Sequence, residues 1–271
     1  MSENPVSENP VSENPVSENP VSENTGHALV VNNLCAGYRG IPVVRDLTLE
    51  VRPGEVVALL GPNGAGKTTT LETIAGLHRP ISGTIELSGA SIGGIPAHAL
   101  ARRSFALVPE GRALFPGLTV REHLRLAGGR GSGGGSGNRG GHGGREEQLL
   151  EMLPELRKCL GRKAGLLSGG EQQMLAVGRA LVTRPRLLLV DEMSLGLAPV
   201  VVERLLPILR RVAAELGTSV LFVEQHVALA LEISDRAYIL AHGRISLEGA
   251  AAELSRRQEL LAASYLGETA A

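Results

Sequence analysis

VVALLGPNGAGKTTTLETIAGL, residues 56–77, decides the fold. Its first five residues are aliphatic and read as a buried strand. A glycine loop follows, and the chain passes from that loop straight into a helical sequence. Gly61, Gly66, Lys67 and Thr68 match G-x-x-x-x-G-K-[ST], and strand, loop and helix are the context that pattern needs. The glycines let backbone N–H groups turn inward around phosphate oxygens. The helix start adds the positive end of its dipole, and Lys67 adds a mobile cation. Thr68 offers a hydroxyl to a phosphate-bound Mg²⁺. The expectation is an α/β fold organised around a phosphate-binding loop.

Working outward, 271 residues suffice for one large α/β domain or two small ones. There is no Trp, with three Tyr and three Phe, so the core must come from Leu, Val, Ile and Ala. So few rings also argue against a stacking platform for single-stranded nucleic acid. The net charge is −1, but the first 24 residues hold five Glu and no Lys or Arg, leaving +4 for the rest. That surplus is too small to argue for nucleic acid. Cys35 and Cys159 stand far apart in no C-x-x-C arrangement, which predicts two reduced thiols rather than a metal site or a disulfide framework. No apolar run approaches the roughly 18 residues of a membrane helix, and the N-terminus lacks the basic start and apolar centre of a signal peptide. Any membrane role is expected to run through a partner.

Residues 2–24 repeat SENPV four times and end on SEN. One Val per unit buries no core and a Pro per unit breaks helix and ladder, which predicts a disordered tail over 1–24. From Thr25 the short β-rich runs of ALVVNNLCAGYRGIPVVRDLTLEV predict two or three antiparallel strands, with Tyr38 in a turn between two of them. After the loop helix come SGTIELSG, a further strand, and a short helix near Pro96 to Arg103. FALVPEGRALFPGLTVREHLRLAG, 105–128, reads as a strand from Phe105 to Pro109, a polar loop, and a helix opened by the capping box Thr119 to Glu122. Glu110 stands at that strand's C-terminal end, where ligands of α/β sheets bind. GGRGSGGGSGNRGGHGG, 128–144, predicts a flexible linker. An Arg/Gly-rich RNA-binding segment is the alternative, but aromatics are missing from it.

REEQLLEMLPELRKCLGRKAG, 145–165, is helical with an interruption near Pro154. LLSGGEQQMLAVGRALVTRPRLLLVDEMSLGLAP, 166–199, then supplies a second capping box, Ser168 to Glu171, and a helix running to about Thr183. Ser168, Gly169 and Gly170 form a second helix end suited to anions. RLLLVDE is a buried strand ending in Asp191 and Glu192, which alternation sends to opposite sides. One can serve a metal and the other a water. A helix over about 200–216, the strand TSVLFVE, His226 just past its end, a short helix, two more strands and a terminal helix over about 251–266 complete the chain. His226 shares a sheet edge with Asp191 and Glu192.

The loop at 61–68, LSGGE at 167–171, LLLVDE at 187–192 and His226 resemble, in order and context, the nucleotide-binding subunits of ABC transporters. LSGGEQQMLAVGRAL with SLGLAP, and LVPEGRALFPGLTVREHL, narrow the resemblance to the smaller ATPase of branched-chain amino acid importers. It covers about residues 28–268. It implies a P-loop NTPase of ABC type: a mixed central sheet, an antiparallel β subdomain and an inserted α-helical subdomain at about 96–183, within one domain over 25–271. It also implies ATP and Mg²⁺ as cofactors, and Tyr38 against the adenine. Gly61, Pro62, Asn63, Gly64, Ala65, Gly66, Lys67, Thr68 and Thr69 would bind the nucleotide, and Thr68 and Asp191, with Glu110, would hold the metal. Glu192 would polarise the attacking water, with Lys67 and His226 at the γ-phosphate. Ser168, Gly169 and Gly170 would close over the ATP of a second subunit, head to tail. The implied partners are that second ATPase subunit, transmembrane permease subunits and, indirectly, a substrate-binding protein, at the cytoplasmic face of the membrane.

The chain departs from the wider family's pattern at four places. Glu110 replaces the Gln usual in the superfamily, Met193 replaces the usual Pro, Ala198 stands where many relatives have Asp, and glycines fill 128–144. A soluble ABC ATPase acting on nucleic acid or ribosomes is the rival class. Such proteins carry a coiled-coil insertion or two fused cassettes, and neither is present here. Urea, amides and other amino acids are alternative transported substrates.

Overall fold

A computed structural model of the chain describes residues 26–128 and 140–257, together with Glu259 and Leu261. The acidic repeat, the middle of the glycine stretch and part of the expected terminal helix lie outside these residues.

The chain opens with a hairpin of β1 (Leu29–Tyr38) and β2 (Ile41–Val51), then β3 (Val56–Leu60) and α1 (Lys67–Ile74). Next come β4 (Ser82–Leu87), β5 (Ala90–Ser91), α2 (Ala97–Leu100) and β6 (Phe105–Val108). Four helices follow, α3 (Val120–Gly128), α4 (Gly140–Met152), α5 (Pro154–Arg157) and α6 (Gly169–Leu181). The remainder is β7 (Leu187–Asp191), α7 (Pro199–Leu216), β8 (Ser219–Glu224), α8 (Val227–Ile233), β9 (Arg236–Ala241), β10 (Arg244–Ala250) and α9 (Ala251–Leu254).

A six-stranded sheet in the order β10-β9-β3-β8-β7-β6 forms the centre. Its strands pair in parallel except where β10 meets β9. β2, β1, β4 and β5 form a separate antiparallel sheet. Alternate residues of the central strands face two different cores. Val57 and Leu59 of β3, and Leu187 and Leu189 of β7, pack toward the antiparallel sheet and α1 with Leu71 and Ile74. Ala58 and Leu60 of β3, with Leu188 and Val190 of β7, pack toward α6 and α7 through Leu175 and Leu205. Both faces are covered, so β3, β7 and β8 are buried along their whole length and read as unbroken apolar runs. Parallel pairing brings the C-terminal ends of β3, β7 and β8 to one edge, and the loops carrying Lys67, Glu192 and Gln225 leave from there.

The helix starts follow their capping boxes. The Thr119 N–H donates to Glu122 Oε2 at 2.7 Å and the Ser168 N–H to Glu171 Oε2 at 2.7 Å. Pro154 separates α4 from α5. Two expectations change. The glycine stretch is not coil throughout, because α3 runs through Gly128 and α4 begins at Gly140. Once a turn exists, each added residue gains a hydrogen bond, which carries helix back from REEQLLEM into residues of poor propensity. The expected terminal helix is broken: α9 stops at Leu254, where the Ser255 hydroxyl donates back to the Ala252 carbonyl at 3.0 Å, while Glu259 and Leu261 are helical again. Such local bonds compete with helix continuation. Among the described residues no helix is long and apolar enough to cross a membrane.

Candidate functional site

The loop between β3 and α1 turns in almost no space. A Cβ on Gly61 would strike the Leu240 carbonyl oxygen of β9, so only glycine fits there. Gly66 caps α1 at φ 107°, a conformation that favours glycine, and a Cβ there would lie 2.8 Å from Val44 Cγ2. The Ala65 N–H closes the turn on the Pro62 carbonyl at 3.2 Å, and the Gly243 N–H holds the Ala65 carbonyl at 3.1 Å. Asn63 and Gly64 form the loop's tip. No side chain caps α1, so the N–H groups of its first turn, from Lys67 to Thr69, are left for an acceptor. Lys67 is folded inward and buried. Its Nζ donates to the carbonyls of Gly61 and Pro62 at 3.0 and 3.1 Å and lies 3.4 Å from Glu192 Oε1. Each of these partners is one an anion can displace.

The two carboxylates after β7 meet consecutive residues of α1. The Thr68 hydroxyl donates to Asp191 Oδ1 at 3.2 Å, beside the contact of Glu192 with Lys67. Both therefore face the phosphate loop and not opposite sides of the strand. The alternation ends because Glu192 has φ 40°, in the left-handed region, with its N–H on the Val223 carbonyl of β8 at 3.1 Å. Asp191 is only 3% exposed. Burial pushes its carboxyl up to about 6, opposed by the Thr68 hydrogen bond and reinforced by the charges of Glu192, Glu110 and Glu72. A buried carboxylate with a hydroxyl beside it and no cation of its own suits a hard divalent ion. Among the described residues no three His, Cys, Asp or Glu side chains form a metal-holding cluster, so such an ion would draw its other ligands from phosphate and water.

The start of α6 is built elsewhere on the surface. Ser168 Oγ accepts the Glu171 N–H at 3.3 Å, and its hydroxyl helps hold the Glu171 carboxylate. Gly169 and Gly170 lie against the segment after β7. A Cβ on Gly170 would approach Val201 Cγ1 to 2.6 Å and one on Gly169 would approach Leu197 Cδ2 to 3.0 Å. Arg112, from the loop after β6, donates from Nε to Gln173 Oε1 at 3.0 Å and from Nη1 to Gln172 Oε1 at 2.7 Å. Among the described residues, no hydrogen bond or ion pair joins Ser168, Gly169 or Gly170 to the loop at 61–69.

The remaining candidates sit at the margins. Tyr38 ends β1, at the turn between the first two strands, and is 45% exposed. Its hydroxyl lies 3.2 Å from Glu72 Oε2 and 3.4 Å from Thr69 Oγ1, while His78 packs edge-on against the ring. Glu110 is exposed in the loop after β6 and reaches Asp191 only through its charge. His226 caps α8 with an exposed side chain, and no side-chain hydrogen bond of His226 ties it to the loop. The residue that reaches Glu192 is its neighbour Gln225, whose Nε2 donates to Oε2 at 2.8 Å. Gln225, Glu224 and Arg112 carried no signal as isolated letters of the sequence.

The chain is similar to known proteins in sequence and in fold. A family described as ABC transporter matches residues 44–194. The high-affinity branched-chain amino acid transport ATP-binding protein BraG of Pseudomonas aeruginosa is 41% identical over 230 residues, 85% of this chain and 95% of that protein. A solved structure of an ATP-binding subunit of an ABC transporter is 33% identical with a TM-score of 0.72, covering 89% of this chain and 97% of its own. A dimeric bacterial ABC transporter cassette is 25% identical with a TM-score of 0.72, covering 82% and 98%. With a family match over more than half its length and a near full-length relative, the chain belongs to the ABC transporter family, among its ATP-binding subunits.

Proposed function

We propose that this chain is the ATP-hydrolysing subunit of an importer of branched-chain amino acids, working from the cytoplasmic face as one of a head-to-tail pair of cassettes. What carries the hydrolytic reading is the convergence of Lys67 with Glu192 and of Thr68 with Asp191 at one loop. In it the loop from Gly61 to Thr69 cradles the phosphates, and Lys67 turns from its carbonyl partners to the β and γ groups. Thr68 and Asp191 hold Mg²⁺, with Glu110 nearby. When bound, the ion neutralises charge on the phosphate oxygens. Glu192 orients the attacking water and takes its proton as the bond to the γ-phosphorus forms and ADP leaves. Tyr38 offers its ring to the adenine. Ser168, Gly169 and Gly170 serve the nucleotide of the second subunit.

The substrate class rests on the likeness to BraG along nearly the whole chain. For the permease subunits, a groove of about 340 Å³ lies between α2, β6, α3 and α6, lined by Leu77, Phe105, Leu107 and Arg179 among others. Leu77, just past α1, is 51% exposed there, and Arg179 donates to the Ala113 carbonyl at 2.6 Å in the loop that carries Glu110. An apolar helix seated in this groove would touch both the end of the phosphate-loop helix and that loop.

The test is Glu192→Gln in the complex reconstituted with its permease subunits in vesicles. Steady-state ATPase activity and leucine uptake should both be lost while an ATP-bound dimer accumulates. Unchanged turnover would sink the role of Glu192. Uptake of urea or an amide in place of leucine would sink the substrate class.

A further inference from the structure

We propose that Gln225, anchored by Glu224, is the residue that positions Glu192 for hydrolysis, and that the place at the end of β8 implied for His226 belongs to Gln225. The inference rests on the reading that Glu192 handles the attacking water.

Three consecutive residues of this strand end hold the segment after β7. The Val223 carbonyl accepts the Glu192 N–H at 3.1 Å. Glu224, 0% exposed, accepts the Ser194 N–H at 3.0 Å, the Ser194 hydroxyl, and the Gln225 N–H at 3.2 Å. Gln225 donates its side-chain amide to Glu192 Oε2 at 2.8 Å. Glu192 sits in a left-handed conformation that a non-glycine residue keeps only when its surroundings impose it. Here Val223, Glu224 and Gln225 impose it through residues 192 and 194.

Glu192 has two side-chain partners, Lys67 on one oxygen and Gln225 on the other. An arriving phosphate draws Lys67 away, and the amide of Gln225 is then the neighbour that keeps the carboxylate from swinging free. Holding a reacting group in one orientation is worth orders of magnitude in rate. His226 stands at the N-cap of α8 with an exposed side chain, its charge reaches Glu224, and no side-chain hydrogen bond joins it to Glu192.

The experiment measures steady-state MgATP hydrolysis by the full chain carrying Gln225→Leu, Gln225→His, His226→Ala or Glu192→Gln, with ATP affinity followed by a fluorescent ATP analogue. Gln225→Leu keeps the bulk and removes the donor. It should lower kcat about ten- to a hundredfold, the range seen when an orienting partner is removed, while ATP affinity stays near that of the unmutated chain. Gln225→His restores an N–H donor and should recover part of the loss, which a purely structural role does not predict. Full turnover in Gln225→Leu, equal loss in Gln225→Leu and Gln225→His, or a larger loss in His226→Ala overturns the proposal. Turnover surviving in Glu192→Gln would instead overturn the hydrolytic reading beneath it.

Discussion

Asp191 shows how one residue's environment sets a condition on catalysis. Burial makes its ionised form costly and raises its carboxyl to about 6. A raised carboxylate contributes stability present below its ordinary value of 3.8 and lost as pH rises through about 6. A bound divalent cation reverses the preference, because metal and proton compete for the same oxygens. The Mg²⁺ concentration needed to activate hydrolysis should therefore rise about tenfold for each pH unit below about 6, and change little above 7. Asp191→Asn should lose this pH dependence along with most of the activation. Metal titrations of the ATPase across that range decide it, and a flat requirement would show that Asp191 is not the ligand. The pairs Lys67–Thr68 and Asp191–Glu192 were legible in sequence because each is contiguous and ends or begins a regular element. The tie from Gln225 to Glu192 was not, since it joins residues 33 apart and depends on the left-handed turn at Glu192.

At the scale of elements, α6 is the helix whose start does two jobs. Its capping box, Ser168 with Glu171, closes the N-terminus, and in the proposed function Ser168, Gly169 and Gly170 serve a partner's phosphate. Glu171 is held down to about 2, first by the Ser168 N–H, then by the Cys159 thiol at 3.1 Å and the Ser168 hydroxyl, with Arg162 adding to them. A depressed carboxylate gives stability present above its ordinary 4.5 and lost as pH falls toward about 2. Glu171→Gln should thus melt below the unmutated chain at pH 7, and the gap should close as the pH is lowered from 4.5 toward 2. Ser168→Ala should cost about 1 kcal/mol as a lost cap, read by urea unfolding. A constant gap for Glu171→Gln at all pH values would remove the carboxylate from this role. Periodicity and caps foretold α3, α6, α7 and the buried strands, because those signals are local. The glycine stretch misled at its ends, where helix propagation from neighbouring residues outweighs the composition of the stretch itself.

At the scale of the whole molecule, the two helix starts that the proposed function assigns to phosphate do not meet. α1 opens at Lys67 beside Asp191 and Glu192, whereas α6 opens at Ser168 against Leu197, Val201 and Arg112. The two are nonetheless linked inside the chain, since Ser194, held by Glu224, lies in the segment that runs from Glu192 to Leu197 and Val201 beside Gly169 and Gly170. In the proposed function this link would carry a change at the carboxylate end of one site to the half-site offered to a neighbour. On the same proposal a second chain completes each nucleotide site, and a head-to-tail pair closes both at once. The two halves should separate experimentally in a Glu192→Gln background, where hydrolysis does not dissolve the dimer. Adding MgATP should convert monomer to dimer on a sizing column. Lys67→Ala should remove ATP binding and dimer together. Gly169→Asp, which sets a carboxylate at the helix start facing the partner's phosphate, should leave ATP binding to the monomer intact and remove only the dimer. Dimer formation by Gly169→Asp at the same ATP concentration would place the start of α6 outside the nucleotide interface.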